Sequence, residues 1–354
     1  MALSIPLPAF EVDVALPPAV DVAIIGGGII GLMTALTLAE RGVSVAVFEK
    51  GCIGGEQSGR NWGWTRQMGR DIAELPLTMA SLRLWGEMNA RIGGETGFRR
   101  TGITYLCYNE ADLRIWSEWY RKGLEQGLDV QMLGAREVAD LLPGSDGRLL
   151  GGLHTPTDGR AEPWIANNAI ATALRARGGH ILTQCAVRSI ETVAGKVSHV
   201  ITERGAVRCS TAVLAGGVWS RLFAGNLGVD FPQLKVIGSV AKVVGVEGLA
   251  DMPVGAADFA YRKRLDGGFT IARRNANLAP ILPDNFRLMF EYLPSLITTW
   301  RELKLRIGPS FFTDLAIPRS WKADQPTIFE TIRTLDPAPH APFNQHALEE
   351  LRRY

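Results

Sequence analysis

Cysteine, histidine and net charge are all sparse in this chain of 354 residues, and each scarcity excludes a class of protein. The four cysteines are far apart and form no C-x-x-C pair, which disfavours a disulfide framework and favours reduced thiols in a cytoplasmic protein. The five histidines have no metal-ligand spacing, so we predict no metal site. The 38 basic and 36 acidic residues leave a net charge of +2, which argues against a nucleic-acid partner.

Long hydrophobic runs are also missing from the chain. No stretch reaches the roughly 20 apolar residues that a transmembrane helix needs. Residues 1–20 lack the basic region and the continuous apolar core of a secretory signal. Hydrophobic residues nevertheless make up 46% of the chain, and its length exceeds that of one typical domain. We therefore expect two interleaved domains and no membrane span.

Residues 22–49 carry the most informative pattern. A short apolar run at 22–25 leads into Gly26, Gly28 and Gly31, which have G-x-G-x-x-G spacing. Gly26 permits a tight strand-to-helix turn, Gly28 lets the backbone approach a pyrophosphate, and Gly31 lets the helix pack on the strand. The N-terminus of that helix offers unpaired N–H groups to the phosphates. The pattern predicts a dinucleotide-binding unit.

Glu49 completes this unit at the end of its second strand. It falls 18 residues after Gly31, where a carboxylate accepts hydrogen bonds from ribose hydroxyls. Such a carboxylate repels a 2′-phosphate, so NADP is disfavoured. Residues 29–41 have the apolar stripe of a helix, and VSVAVF is a β-branched run typical of a strand buried in a parallel sheet.

The strand patterns predict a sheet assembled from separated parts of the chain. Strands similar to the first two recur at 180–216. We therefore predict a mixed α/β (α+β) fold, in which an antiparallel-sheet substrate domain is inserted into a discontinuous Rossmann-like dinucleotide domain. The predicted bounds are 20–92 and 150–230 for the dinucleotide domain, 93–149 and 231–335 for the substrate domain, and 336–354 for the start of a return helix.

Several motifs, in this order, resemble those of the D-amino-acid-oxidase-like (DAO) flavoproteins, which include glycine and sarcosine oxidases and D-amino-acid dehydrogenases. DVAIIGGGIIGLMTALTLAERGVSVAVFEK is similar to the family's ADP-binding unit, and EQSGRNWGW is similar to its loop after the acidic residue. HTPTDGRAEPWIANNAIATALRARGGHI and TAVLAGGVWSRLF are similar to later segments of the same domain. The resemblance covers most of residues 20–340 and implies FAD as the cofactor.

The resemblance implies which residues hold FAD. The three glycines lie at the pyrophosphate, and Glu49 binds the adenosine ribose. The other implied contacts are Lys50 near the adenine, Ser58, Arg60 and Asn61 on the phosphate and flavin side, Val187 bonding the adenine through its backbone, and Ala215, Gly216 and Trp219 over the ADP half. From the residues alone, a solvated loop with a structural Arg60 and core packing of Trp219 and Val187 are the alternatives.

The resemblance further implies oxidation of the C–N bond of an amino acid or a secondary amine. A hydride passes from the carbon bearing the amine to the flavin, and the imine then hydrolyses. Such a site needs a clamp on the substrate carboxylate, typically an arginine or a tyrosine. The candidates are Tyr261 and Arg262 on a predicted hairpin strand, Arg273 opposite them, Arg66 in the glycine-rich loop, and Tyr105. A surface salt bridge is the alternative role of each arginine.

Three functions stay open at this point. An NAD-dependent dehydrogenase is the first alternative to the flavin enzyme, although the sequence shows no evident catalytic histidine or Tyr-x-x-x-Lys motif. A truncated or non-catalytic remnant is the second, because the family usually continues past LDPAP into a glycine-rich return segment, whereas this chain ends at LEELRRY. The identity of the substrate, oxygen or a quinone as electron acceptor, and a homo-oligomeric state are also left open.

Overall fold

The computed structural model describes residues 12–145, 147–299 and 303–354. Within these residues the chain divides into two units, and each unit is made of separated segments. Unit 1 comprises the chain up to Arg60, Pro163–Ile237 and Leu278–Pro337, and unit 2 comprises Asn61–Glu162, Gly238–Asn277 and Ala338–Tyr354.

Strands and helices are interspersed along the described residues, with runs of consecutive strands from β8 to β12 and from β13 to β17. The strands are β1 (Val22–Ile25), β2 (Val45–Phe48), β3 (Trp64–Thr65), β4 (Ile103–Cys107), β5 (Gln131–Gly134), β6 (Gly151–Thr155), β7 (Gly159–Arg160), β8 (His180–Leu182), β9 (Val187–Val193), β10 (Lys196–Thr202), β11 (Gly205–Arg208), β12 (Thr211–Leu214), β13 (Val240–Val243), β14 (Val254–Gly255), β15 (Ala260–Lys263), β16 (Phe269–Ala272), β17 (Asn277–Pro280) and β18 (Leu303–Arg306). The helices are α1 (Ile29–Ala39), α2 (Gln57–Arg60), α3 (Leu75–Ile92), α4 (Glu110–Glu125), α5 (Ala135–Leu141), α6 (Pro163–Ala176), α7 (Ser220–Asn226), α8 (Pro283–Arg287), α9 (Met289–Thr299), α10 (Ser310–Leu315), α11 (Ile328–Thr331) and α12 (Ala341–Leu351).

Unit 1 is built on a four-stranded parallel sheet with the order β12–β1–β2–β8. Every residue of β1 and β2 is buried, as their β-branched runs predict for strands covered on both faces. Ile24 at the centre of β1 pairs with Val47 on one side and with Val213 on the other. The turn from β1 into α1 therefore lies at the carboxyl edge of the sheet, which is where open α/β sheets bind ligands.

The sheet of unit 1 joins distant parts of the sequence, and the predicted discontinuous Rossmann-like fold is confirmed. β8 and β12 come from the segment that begins at Pro163, and α6 of that segment packs against α1. A second, antiparallel sheet of β9, β10 and β11 follows β8 in the chain.

Two ion pairs hold short α11 and the residues after it against this part of unit 1. Arg188 Nη2 lies 2.8 Å from Glu330 Oε2 of α11, and the Arg333 guanidinium pairs with Glu203, which directly follows β10. Phe329, next to Glu330, has its ring centre 5.7 Å from that of Trp219. Residues near the end of unit 1 are thereby brought beside its first strands.

Unit 2 contains a seven-stranded sheet with the order β13–β16–β15–β14–β4–β6–β5. Its pairs are antiparallel except for β14 and β4, which run parallel. The predicted hairpin strand that carries Tyr261 and Arg262 is β15, and Tyr261 pairs with Ile271 on the neighbouring antiparallel strand β16. α12 packs on β16 and buries Ala347 and Leu351 in the same core cluster as Ile271.

Residues 61–92 and 150–162 group with unit 2, whereas the sequence pattern assigns them to the dinucleotide domain. The physical reason is side-chain burial and strand pairing. Leu75 of α3 is fully buried in one cluster with Ile103 of β4 and Leu153 of β6. β6 is itself hydrogen-bonded between β4 and β5. Residues 231–237 and 278–335, assigned by pattern to the substrate domain, group with unit 1.

Candidate functional site

The turn between β1 and α1 requires glycine at its first position. Gly26 has a φ of +115°, a region that residues with side chains rarely adopt. A Cβ on Gly26 would lie 2.4 Å from the carbonyl oxygen of Ala215. Its N–H donates to the Phe48 carbonyl at 2.9 Å, so the turn is fixed against the ends of β2 and β12.

Gly28 and Gly31 are required for close approach. A Cβ on Gly31 would lie 2.0 Å from the carbonyl oxygen of Gly26, so α1 could not begin this close to β1. A Cβ on Gly28 would lie 2.9 Å from Oγ of Ser58, and the N–H of Ile29 donates to that same Oγ at 3.0 Å. The Ile29 N–H is therefore taken by Ser58, and the amides that follow it lie at a turn without side chains at Gly26 and Gly28, which is an arrangement that suits phosphate oxygens.

Glu49 is held beside this turn by backbone donors. The Gly27 N–H donates to Oε2 and the Gly51 N–H donates to Oε1, each at 2.7 Å. Burial raises the pKa of Glu49, while these two N–H groups act in the opposite direction. A carboxylate has about four lone-pair positions, so acceptor capacity remains for the hydroxyls of a ribose.

A cavity of about 310 Å³ lies beside the turn in unit 1. It brings together most of the cofactor residues named above: Gly26, Gly28, Glu49, Lys50, Ser58, Val187, Ala215, Gly216 and Trp219. Sequence reasoning missed further lining residues, among them Ile25, Phe48, Glu56, Leu214, Phe231, Gln233, Phe329 and Thr334. The first four lie inside the quoted motifs, where the carboxylate of Glu56 gave a usable signal, and the last four lie outside them.

Lys50, Glu56 and Trp219 form a linked group on the wall of this cavity. Lys50 Nζ donates to Glu56 Oε1 at 2.8 Å and to the carbonyls of Ile332 and Arg333 at 2.8 and 3.0 Å. Trp219 Nε1 donates to both Glu56 oxygens at 3.1 Å, and Lys50 Nζ lies 4.7 Å from the centre of the Trp219 ring. All three donors of the ammonium thus have acceptors, and the wall is rigidly assembled.

Arg60 and Asn61 make local contacts. Arg60 Nη1 donates to Asp336 Oδ1 at 2.7 Å, and its Nη2 donates to the carbonyl of Gly55 at 2.6 Å. Asn61 is the first residue of unit 2, and its Oδ1 accepts from the Gly63 N–H at 2.8 Å. Contacts of both residues with the phosphate and flavin side stay a prediction from the resemblance.

Two of the clamp candidates lie in the interior of unit 2, contrary to the expectation of a substrate-facing position. Tyr261 is 1% exposed, its ring centre is 5.9 Å from that of Phe269, and burial raises its pKa. Arg262 is also 1% exposed, with Nη1 2.7 Å from Glu162 Oε1 and Nε donating to the Trp62 carbonyl at 2.7 Å. Tyr261 is buried because its strand is paired within the sheet. Arg262 is buried because it pairs with the carboxylate of Glu162, which is far from it in the sequence.

Arg273 and Arg66 are less buried, and both have intramolecular partners. Arg273 Nη2 lies 3.4 Å from Asp258 Oδ1, and its guanidinium lies 5.7 Å from the centre of the Phe343 ring. Arg66 Nη1 donates to the carbonyl of Met68. The contact of Arg273 with Asp258 is the salt-bridging role that the sequence analysis gave as the alternative for this arginine.

A cation–aromatic cluster in unit 2 contains a residue that the sequence did not single out. The guanidinium of Arg274 lies 4.0 Å from the ring centre of Tyr105 and 4.9 Å from that of Trp116. The Tyr105 and Trp116 ring centres are 4.6 Å apart, and that of Trp64 is 5.9 Å from Tyr105. Arg273 and Arg274 are neighbours in the sequence, so only the tertiary structure shows which one reaches the aromatic rings.

Asp158 is a fully buried carboxylate beneath the loop that carries Arg66. Its Oδ1 accepts from the backbone and side-chain N–H groups of Gln67 at 2.9 and 3.2 Å, and its Oδ2 accepts from the Met68 N–H at 3.2 Å. Burial raises its pKa from the ordinary 3.8 to about 6, with these N–H donors acting in the opposite direction. Asp158 therefore positions the loop while keeping a proton at mildly acidic pH.

Replacing Asp158 with asparagine should remove a pH dependence of stability. Between about pH 4 and pH 6 the folded wild type retains a proton that the unfolded chain has lost, so its stability falls as pH rises through this window. Relative to the D158N variant, wild type should lose on the order of 2–3 kcal/mol of unfolding free energy across it. Urea unfolding at several pH values measures this difference, with D140N at an exposed aspartate as control. Parallel stability curves for wild type and D158N would refute the assignment.

Among the described residues, the histidine, cysteine, aspartate and glutamate side chains form no group of three that could hold a metal ion. Across the same ranges, no helix combines the length and the apolar character that crossing a membrane demands.

Comparison with known proteins places the chain among flavoproteins. The family model described as FAD dependent oxidoreductase (DAO) matches residues 21–335. Human mitochondrial sarcosine dehydrogenase is 27% identical over 264 residues, which are 71% of this chain and 28% of that protein. Glycine oxidase from Bacillus licheniformis is 32% identical over 222 residues, 59% of this chain and 57% of that protein. The chain thus spans less than two thirds of the length of either relative.

Solved structures extend the likeness over nearly the whole chain. The L-amino acid deaminase from Proteus myxofaciens, determined in complex with anthranilate, is 34% identical and has a TM-score of 0.92, covering 97% of this chain and 78% of that one. The L-amino acid deaminase from Proteus vulgaris is 30% identical and has a TM-score of 0.91, covering 98% of this chain and 82% of that one.

Proposed function

Because the chain belongs to the DAO family of FAD-dependent oxidoreductases, we propose that it oxidises the C–N bond of an amino acid or a secondary amine. In the proposed reaction the carbon bearing the amine loses a hydride, and water hydrolyses the imine to a carbonyl compound and ammonia or an amine. The observation that carries the proposal is the likeness to the Proteus myxofaciens deaminase over 97% of the chain. The names of the sarcosine dehydrogenase and the glycine oxidase point to the same class of substrate.

The residues of unit 1 fit the adenosine diphosphate half of FAD. A Cβ at Gly26 or Gly31 would clash with the backbone of the turn. Because neither residue has a Cβ, amides at the start of α1 can reach phosphate oxygens. Glu49 is fixed by two backbone donors and retains lone pairs for ribose hydroxyls. Val187 and Trp219 line the adjoining cavity and supply apolar surface for a purine.

FAD, when bound, supplies the acceptor for the hydride. The part of this chain is binding and orientation. The ion pair of Lys50 with Glu56, at 2.8 Å, neutralises both charges beside the Trp219 ring, so this pair adds no net charge against the diphosphate. The negative charge of Glu49 repels a phosphate group attached to the ribose, as its position after the second strand predicts.

In unit 2 we assign the binding of a substrate carboxylate to Arg274. Its guanidinium is stacked on Tyr105 and Trp116, which orients a planar two-pronged donor as carboxylate recognition requires. A Cβ on Gly69 would lie 3.2 Å from Arg66 Nη1, 2.9 Å from the Tyr105 ring and 3.3 Å from the Trp116 ring. Arg66 therefore lies beside the same rings, and the two arginines give this part of unit 2 a positive potential.

Replacing Arg274 with leucine should weaken substrate binding selectively. A lost charge-assisted hydrogen bond lowers kcat/KM by about 10- to 100-fold, mostly through KM when the clamp acts equally in ground and transition states. The matched control is R273L, which removes an arginine paired with Asp258 and should change kcat/KM by about twofold at most. Steady-state kinetics of both variants decide the point. Equal losses in the two variants would contradict the assignment of the clamp to Arg274.

Purification of the full chain tests the function directly. A yellow protein that releases FAD is expected, and its flavin absorbance should bleach under anaerobic conditions with at least one member of a panel of glycine, sarcosine and the L- and D-amino acids. A yellow protein that no amine bleaches would indicate the non-catalytic remnant. A protein that binds a nicotinamide dinucleotide in place of the flavin would indicate the dehydrogenase.

We also retain a cytoplasmic location in the proposal. All four cysteines are free, and three of them are buried, which is typical of proteins in a reducing compartment. Growth of the organism followed by separation of cytoplasm from membranes, with immunodetection of the chain, tests this location.

A further inference from the structure

Arg66 of unit 2 carries a charge that no carboxylate of the described residues pairs with. Its Nη1 donates to the carbonyl of Met68, and within the described ranges this is its one hydrogen bond. The side chain is half-buried, and its Nε and Nη2 atoms are not among the fully buried polar atoms that lack a partner. These two nitrogens therefore keep accessible surface, and an incoming anion can reach them. A half-buried guanidinium without a counter-ion is stabilised when such an anion binds.

Arg70 adds a second positive charge in the same loop. Burial and the neighbouring charge of Arg66 lower the pKa of Arg70. Glu74 Oε2 lies 3.8 Å from Arg70 Nη1, but both side chains of this pair are about half exposed, so the pair contributes little. Asp158 beneath the loop accepts from backbone N–H groups of the loop and forms no ion pair with either arginine. The loop thus holds two guanidiniums close together, which a bound anion would stabilise.

Arg66 and Arg274 approach the same aromatic ring. The guanidinium of Arg274 lies 4.0 Å from the centre of the Tyr105 ring. The position that a Cβ on Gly69 would take lies 2.9 Å from the same ring and 3.2 Å from Arg66 Nη1. One ring and one glycine therefore lie between the two guanidiniums, a spacing that a small molecule with an anion at each end can span. An amino acid with a single carboxylate would engage only one of them.

We propose that the substrate is an acidic amino acid, whose α-carboxylate binds Arg274 and whose side-chain carboxylate binds Arg66. The proposal rests on the proposed function, since it takes an amino acid as the substrate and Arg274 as the group that binds its carboxylate. A guanidinium offers parallel N–H donors that match the two oxygens of a carboxylate. A carboxamide of the same shape has no charge and turns an NH2 group toward the arginine, so Arg66 discriminates against it. Arg66 is accordingly a specificity-determining residue.

Binding of glutarate and of its monoamide tests the proposal without turnover. The two compounds lack an amine and differ only in the exchange of one carboxylate for a carboxamide. Trp64 and Trp116 lie beside the Tyr105 ring, so quenching of tryptophan fluorescence in the purified full chain reports the affinity. Wild type should bind glutarate about 10- to 100-fold more tightly, the range expected for a charge-assisted hydrogen bond. Equal affinities, or no binding of glutarate, would overturn the proposal and leave the proposed function standing.

Turnover by the FAD-loaded chain should show the same preference. In the enantiomer that is oxidised, glutamate or aspartate should have a kcat/KM about 10- to 100-fold above that of the corresponding amide. A neutral amino acid that is oxidised faster than both would overturn the proposal while supporting the proposed function. A chain that prefers glutarate but whose flavin no amine bleaches would keep the site for two carboxylates and overturn the proposed function.

Variants of Arg66 separate recognition of the second carboxylate from anchoring of the loop. Arg66→Met should bind glutarate about 10- to 100-fold more weakly and change the affinity for the monoamide by about twofold at most, whereas a purely structural role predicts equal losses for both ligands. Arg66→Lys keeps the charge and should retain part of the preference. R83M, at an exposed arginine of α3, is the control and should match wild type. If R66M does not fold by circular dichroism, R66Q, which keeps a neutral donor, decides in its place: loss of the preference supports the proposal and its retention overturns it.

Discussion

Replacing Gly31 with alanine should give a folded chain that no longer retains FAD. The added Cβ would lie 2.0 Å from the carbonyl oxygen of Gly26 and 3.3 Å from a methyl group of Ile24, so the first turn of α1 must move away from β1. A displacement of about 1 Å at a binding turn can cost about 100-fold. The amides at the start of α1 would then miss the phosphate oxygens, and we expect FAD affinity to fall by at least about that factor.

Fluorescence titration with FAD, together with the colour of the purified protein, measures this loss. The matched control is G225A in α7. Its added methyl group would meet open space, and alanine is a better helix former than the glycine that it replaces. G225A should remain yellow and be as stable as wild type or slightly more so. A yellow G31A with wild-type affinity would show that the turn does not bind the diphosphate.

The glycine turn between β1 and α1 was predictable because its determinants are local. Gly26, Gly28 and Gly31 act within one strand–turn–helix unit, and Glu49 follows at the end of the adjacent strand. Backbone conformation and close approach require particular residues there, so the physical need is written in the spacing itself. Even the burial of β1 and β2 follows from their β-branched runs.

The far wall of the cavity was not predictable, because its residues become neighbours only in the tertiary structure. Gln233 meets Gly217 across a loop, and its unpaired oxygen is evident only once the surrounding donors are counted. Glu56 differs in that it lies within a motif, but its partners Lys50 and Trp219 come from two separate segments. No periodicity or spacing marks such a contact.

The candidates for binding the substrate carboxylate show the same difference between local sequence patterns, which are predictable, and tertiary contacts, which are not. An arginine or a tyrosine on a strand can face either side of a sheet, and the alternation of β15 places Tyr261 in the core and Arg262 on the opposite face. The sequence does not reveal that the opposite face is covered by Glu162, which lies 100 residues away along the chain. Arg274 stacks on rings of β4 and α4, which are equally remote in sequence.

The buried ion pair between Arg262 and Glu162 leads to the second large expected effect. Arg262 Nη1 lies 2.7 Å from Glu162 Oε1, and the two side chains are 1% and 7% exposed. In the E162Q variant the amide can still accept from Arg262 and from the Leu265 N–H, which donates to Oε1 at 2.9 Å. The compensating charge is lost together with the longer contact from Arg262 Nη2 to Oε2 at 3.4 Å, so the guanidinium becomes an uncompensated buried cation. We expect E162Q to lose about 3–5 kcal/mol of unfolding free energy.

A double-mutant cycle separates this charge effect from lost packing. Because R262M removes the cation itself, the double variant E162Q/R262M should be more stable than the sum of the two single losses predicts, by about 2–3 kcal/mol. The matched control is E125Q, whose partner Arg121 lies 3.2 Å away in an exposed pair on α4, and it should cost about 0.5 kcal/mol at most. Urea unfolding followed by tryptophan fluorescence gives all four values. If E162Q cost no more than E125Q, the buried pair would be neutral to stability and this prediction would be wrong.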